Sequence, residues 1–249
     1  MMWRPEPEPS KFGNRMIPAT KQFIVFLTGW IGFQIIAAII QLLLGSIETF
    51  SGASFEALAS SIIVHTGAYL ILLITLLAII NFDIPKLLTS FKHWQSYVAA
   101  ALCFAAIFAF DMLYGLFLQL LPLKTGNNAN EAGLEKIIEA FPIASLVIFG
   151  LVGPLCEELT YRVGLFSFFR RKNKVLAYIV TIVIFAFIHF DITATKDTIV
   201  NELLNLPIYM FAAFAFSFTY EKYGFAGSAT AHIFNNIFAI SSAIISQYI

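Results

Sequence analysis

Charge is what this sequence lacks. Asp, Glu, Lys and Arg make up 12 % of its 249 residues, against roughly 25 % in an average soluble domain. Fifteen basic and 15 acidic residues cancel to a formal net charge of zero, so the basic footprint that a nucleic acid requires is missing. Cysteine is scarce as well. Cys103 and Cys156 both stand inside apolar runs, which implies neither a disulfide framework nor a zinc knuckle. No His-Glu-x-x-His run occurs, and with it the ligand spacing of the soluble zinc proteases is absent.

Apolar residues fill the space. Hydrophobic types reach 59 %, with 27 phenylalanines, and the mean hydropathy is +0.82. Such a composition rules out disorder, which needs low hydrophobicity and high net charge. It is also too apolar for a single soluble core. A membrane span needs about 20 mostly apolar residues. Residues 1–21 fail that test, with Arg4, Glu6, Glu8, Lys11, Arg15 and Lys21 among them, and read as a polar cytoplasmic tail. Residues 22–249 read as one membrane domain. Its expected spans are 22–44, 60–81, 95–121, 142–169, 175–190, 203–220 and 226–246. The fold class is therefore all-α: a polytopic membrane helix bundle of about seven transmembrane helices, or eight.

Orientation follows from Lys and Arg. With the N-terminus in the cytoplasm, eleven basic residues fall on that side: Arg4, Lys11, Arg15, Lys21, Lys86, Lys92, Arg170, Arg171, Lys172, Lys174 and Lys222. Three fall opposite, Lys124, Lys136 and Lys196. That asymmetry makes the N-terminus cytoplasmic. With no organelle-targeting signal, the chain reads as a multi-pass protein of a cell membrane, the bacterial plasma membrane. Its surroundings are membrane lipids. Two stretches stand outside the spans. Residues 127–141 put Leu134, Ile137, Ile138 and Phe141 on one face and read as a short interfacial helix. Residues 191–202 are polar and read as a loop over a nearby site.

Four charged residues nonetheless lie within the spans: Asp111, Glu157, Glu158 and Arg162. Such residues cost several kcal/mol in a bilayer and mark paired or functional positions. Glu158 and Arg162 are four apart, share a helix face and can pair. Glu157 is turned about 100° away, so it needs a partner from another helix. Pro154, after Gly153, removes a backbone donor and bends the helix just before this cluster. His189 closes the run Phe185-Ala186-Phe187-Ile188-His189, and His232 and Asn236 share a face of the last span. Asn235 is rotated away. His65 and His93 read as packing and interfacial residues, and Asp111 as a buried polar contact.

Depth ties the set together. Counted at 1.5 Å per residue from the flanking basic residues, Glu157 lies roughly 20 Å in, His189 roughly 22 Å, and His232 and Asn236 roughly 15 and 21 Å. Three helices thus bring polar groups to one level. Glu157 could serve as general base on a water that His189 holds, with His232 and Asn236 donating to the oxyanion of a tetrahedral intermediate. Alternatively Glu157, His189 and His232 could ligate a divalent metal such as Zn2+. Sequence leaves both open, a metal or none.

The order Glu157-Glu158-x-x-x-Arg162, Phe185-x-x-x-His189, His232-x-x-x-Asn236 resembles the three motifs of the CPBP family, the CAAX-protease and bacteriocin-processing (Abi) intramembrane proteases. The resemblance covers residues 142–245. It implies a peptidase like the type II CAAX prenyl endopeptidase, acting on a membrane-associated peptide, a leader peptide or a lipidated protein. On that resemblance Glu157, His189, His232 and Asn236 fall on catalytic positions, and Glu158 and Arg162 support them. The family has been described both as metalloproteases and as metal-independent glutamate proteases. Two other classes compete. One is a non-catalytic immunity or regulatory protein of the same family, whose motifs are often degraded. The other is a proton-conducting transporter, for which no repeat is evident.

Overall fold

The chain is described by a computed structural model covering residues 17–52, 54–121, 126–196 and 198–248. Most of the polar tail therefore lies outside the described residues, as does Lys124. Among those described, every regular element is helical. Helix α1 is Ala19–Ser51 and α2 is Ala57–Ile80. A run of short helical turns, including α3 (Ile84–Leu88), leads to α4, Trp94–Gln119. Next come α5 (Ala129–Ala140), α6 (Pro142–Arg170), α7 (Lys174–Phe187) and α8 (Ile199–Ser246). Of these, α1, α2 with the turns that follow it, α4, α6 and α8 are long and apolar enough to cross a membrane. Large apolar side chains such as Leu42, Ile74, Leu102, Leu113 and Ile143 point outward. In water they would form an oversized patch; in a bilayer they meet acyl chains. The protein is a multi-pass all-α membrane bundle.

Backbone chemistry explains where the helices break. In α8 Gly224 adopts φ 80°, ψ −174°, a conformation essentially reserved for glycine. The long helix is therefore two rods, residues 199–223 and 225–246, which correspond to the last two expected spans. Helix α6 carries π-type turns at Ile148–Val152 and Glu158–Phe166, on either side of an α-turn at Gly153–Glu157. The expected bend at Pro154 is thus taken up by widening the helix in two places. The i→i+5 pattern lets the backbone pass a residue that has no N–H to donate, and such turns concentrate at functional sites.

Helix α6 is the axis of the bundle. Its segment Glu158–Phe166 is buried throughout. Helix α1 crosses it at two contacts that leave no room for a side chain: a Cβ on Gly164 would stand 2.8 Å from the backbone nitrogen of Phe26, and one on Gly29 would collide with Thr160. The main hydrophobic core joins α2 (Leu72, Leu76), α6 (Val152, Cys156, Leu159, Val163) and the second rod of α8 (Phe225, Ile240). One end of the bundle is clamped by ion pairs. Asp83 bridges Lys21 and Lys86, both at 2.6 Å. Glu221 binds Arg170 at 2.7 Å and Lys174 at 2.9 Å. Basic residues assigned to one side of the membrane therefore meet at one end. The opposite end carries α5, the expected interfacial helix, capped by the Asn128 side chain accepting from the Glu131 N–H at 2.9 Å.

Helix α1 runs on to Ser51, past the expected end at 44, and two boundaries near His189 differ from expectation as well. Helix α7 ends at Phe187 rather than 190, so His189 stands in the turn beyond it. The polar loop after His189 stops at 198, because Ile199–Glu202 already forms the first turn of α8.

Candidate active site

Glu157, His189, His232 and Asn236 line one cavity of about 790 Å³, toward the upper end of the range of small-molecule pockets. Its walls come from α1, α2, α4, α5, α6, α7 and α8, with Phe33, Tyr69, Ile107 and Ile137 among its apolar residues. Four hydrophilic groups spread over 80 positions of sequence thus converge on one chamber.

The acidic pair divides as the helix geometry requires. Glu158 is fully buried and pairs with the equally buried Arg162 at 3.1 Å. The Arg162 guanidinium lies over the rings of Phe185 and Phe216, 4.5 and 5.2 Å from their centroids, so aromatic faces replace most of the water it lost. Glu157 keeps 18 % of its side chain accessible and points into the cavity. Its partner from another helix is His232, whose Nε2 stands 3.7 Å from Glu157 Oε2.

His232 also makes a contact that spacing did not reveal. Its Nδ1 is 3.0 Å from Glu158 Oε1, and its ring stacks on Phe216 at 4.4 Å. A carboxylate held against Arg162 can only accept, so Nδ1 carries the proton and donates. In the neutral imidazole Nε2 then presents a lone pair toward Glu157. Arg162, Glu158, His232 and Glu157 form one chain of contacts, in which Glu158 orients the imidazole as well as pairing with Arg162. A carboxylate behind a histidine is the signal that could have suggested this, but the register between α6 and α8 is a tertiary fact.

His189 is fixed in a similar way. Its Nδ1 lies 2.8 Å from the Phe185 carbonyl. That carbonyl belongs to the last turn of α7, and the side chain caps it. A carbonyl accepts only, so Nδ1 again donates and Nε2 keeps the lone pair. Asn236 sends one N–H to the Phe149 carbonyl at 3.0 Å. That carbonyl is inside the first π-type turn of α6. One N–H and the carbonyl oxygen of the Asn236 amide remain for the chamber.

Further residues enter the lining. Asn235, expected to face away, shares the wall with Asn236; positions about 100° apart can both edge an opening this wide. Asp111 lines the cavity, and its Oδ1 is buried without a hydrogen-bond partner among the described residues. His65 also faces it, with Nδ1 2.8 Å from the Ser61 carbonyl and its ring against Phe149. The sequence reads Asp111 as a buried polar contact or a cavity-lining residue, and His65 as a packing residue. As for a metal, no three His, Cys, Asp or Glu side chains among the described residues stand close enough to hold one. Glu157, His189 and His232 as placed do not fit that role.

Comparison with known proteins points the same way. Relatives include an uncharacterized protein of Mycoplasma capricolum subsp. capricolum, 25 % identical over 201 residues, covering 76 % of this chain and 57 % of that one. Another is the UPF0177 protein YvdC of Lactococcus lactis subsp. lactis, 25 % identical over 163 residues, covering 65 % of this chain and 58 % of that one. The chain thus spans a little under three fifths of the length of these curated relatives. No solved structure matches it. A family model described as type II CAAX prenyl endopeptidase Rce1-like matches residues 139–238, the segment that supplies all four converging groups. Over that segment the resemblance read from the three motifs is borne out, and residues 139–238 are similar to the Rce1-like, type II CAAX prenyl endopeptidase family.

Proposed function

We propose that the protein is an intramembrane endopeptidase that hydrolyses a peptide bond in a membrane-associated substrate, such as a leader peptide or a CAAX-like lipidated terminus. The observation that carries this reading is that Glu157 Oε2 stands 3.7 Å from the Nε2 of His232 inside a chamber also lined by His189 and Asn236.

The chemistry follows from the donors and acceptors. Glu157 takes a proton from a water, and the water oxygen attacks the carbonyl carbon of the scissile bond. The Nε2 lone pair of His189 accepts from the same water and aims it. The carbonyl oxygen becomes an oxyanion, which needs donors. Asn236 has one N–H to give. His232 gives a second from Nε2 when that nitrogen carries a proton. Collapse of the intermediate breaks the C–N bond, and the proton held by Glu157 passes to the leaving amine. The apolar walls limit water to what the polar groups hold.

The experiment is hydrolysis of membrane-anchored peptides by the full-length protein in proteoliposomes. Glu157→Ala and His189→Ala are each expected to lower turnover by about 10²–10⁴-fold, the usual contribution of a general base and its partner. Wild-type turnover in either variant removes the proposed role. A cellular phenotype unchanged by Glu157→Gln would instead favour a non-catalytic immunity or regulatory role.

A further inference from the structure

The family match begins at residue 139, yet a group of residues before it is fastened to His189. Helix α5 and the start of α8 meet the turn that carries this histidine. Asn128, buried at the N-terminus of α5, donates from Nδ2 to the His189 carbonyl at 3.3 Å and to the Tyr209 hydroxyl at 3.3 Å. The Tyr209 hydroxyl donates in turn to Glu131 Oε1 at 3.0 Å. Glu202, also buried, uses both carboxylate oxygens: one accepts the Ala129 N–H at 2.8 Å, the other the Asp191 N–H at 2.9 Å. The first ties down α5, the second the loop leaving His189. Asn205 adds a bond to the Gly126 carbonyl at 3.1 Å.

At the centre of this cluster, the Tyr209 ring lies flat against the His189 imidazole, with centroids 4.3 Å apart and planes 16° from parallel. Phe185 approaches from its own helix at 5.0 Å. His189 needs both neighbours. It stands in a turn rather than within a helix, and among the described residues its side chain has a single hydrogen bond, from Nδ1. One such bond restrains the ring's distance from Phe185 and leaves its rotation soft. A flat partner pinned by its own hydroxyl removes that freedom. Catalytic groups must be held within about 0.5 Å and 10–20° of productive geometry.

We propose that Tyr209 is a positioning residue for His189, and that Asn128 and Glu131 of the α5 region hold Tyr209 in place. The site is then completed by a helix outside the segment that carries the family motifs. The proposal rests on the peptidase reading for what His189 does, but the positioning itself can be read without turnover.

The test uses the full chain in nanodiscs with ¹⁵N-labelled histidine, at one fixed pH. In the wild type, His189 is expected to give one Nδ1–H tautomer with sharp ring resonances. Tyr209→Phe keeps the ring and removes the tether. Its kcat is expected to fall by about 3–10-fold at nearly constant KM, which corresponds to the loss of roughly one net hydrogen bond. Tyr209→Leu removes the stacking surface. Its kcat is expected to fall about 10²-fold, the usual cost of an ångström of misplacement, with His189 resonances broadened or split between tautomers. Wild-type kcat with unchanged His189 resonances in Tyr209→Leu overturns the proposal, as does a loss confined to KM. If no protein in the series cleaves any peptide, the peptidase reading has failed, and the resonances alone still decide: a changed His189 spectrum in Tyr209→Leu supports positioning, an unchanged one refutes it. Should Tyr209→Leu fail to fold, Tyr209→Phe and Asn128→Ala carry the decision, and wild-type kcat and spectra in both overturn it.

Discussion

Removing Arg162 tests the charge arrangement behind the site most directly. In Arg162→Met the aliphatic stem is roughly preserved and the guanidinium is lost. The Glu158 carboxylate is then stranded with no exposed surface and no counter-charge on its own helix. Breaking a buried pair from one side typically costs about 3–5 kcal/mol. At about 2–4 °C per kcal/mol for a chain of this length, the thermal midpoint in detergent should fall by about 6–20 °C. The double variant Glu158→Leu, Arg162→Met removes both charges. It should be more stable than Arg162→Met, because the stranded charge is gone. What remains is the cost of leaving the Nδ1–H of His232 without its acceptor, about 1–3 kcal/mol. Peptide hydrolysis, however, should stay lost in both, since nothing then fixes the tautomer of His232. Thermal unfolding and proteoliposome turnover, measured side by side, separate the two effects. The reasoning fails if Arg162→Met unfolds where the wild type does, or if the double variant is no more stable than the single one.

Two glycines should respond in opposite directions. Gly164→Ala pushes a methyl against the backbone of Phe26, which cannot yield cheaply, and is expected to destabilise by about 1–3 kcal/mol. Gly133→Ala meets nothing within 4 Å on α5 and should stabilise by about 0.5–1 kcal/mol; unfolding midpoints check both. Helix α5 should also report pH. Burial lifts the Glu131 carboxyl above the ordinary glutamate value, against the opposing hydrogen bond from Tyr209. A group raised in the folded state stabilises fully below its unfolded pKa of about 4.3 and loses that contribution as pH rises through the lifted value. Amide exchange in α5, corrected for intrinsic rates, should therefore quicken over that window, and Glu131→Gln should flatten the response.

Some of this was legible in single residues. The all-α membrane-bundle class followed from hydropathy because lipid demands continuous apolar helices. The pairing of Glu158 with Arg162 followed from a spacing of four on one helix. Other features resisted reading. Pro154 announced a distortion, but whether the helix would kink or widen depends on what packs around it. Asn235 was assigned outward by helical rotation, although a wide cavity admits two adjacent positions. Asp111 reads as a buried polar contact and His65 as a packing residue because nothing local shows which way α2 and α4 turn.

The sequence by itself determined the membrane-spanning class, the gathering of basic residues at one end and the identity of the polar groups that lipid would not tolerate, because each depends on composition and on periodicity within one helix. Tertiary structure alone decided that Glu158 backs His232, that Tyr209 lies on His189 and that α5 closes over them. Those contacts join residues 20 to 80 positions apart, and only the rotation and depth of one helix against another, set by close approaches such as Gly164 on Phe26, determine which side chains meet.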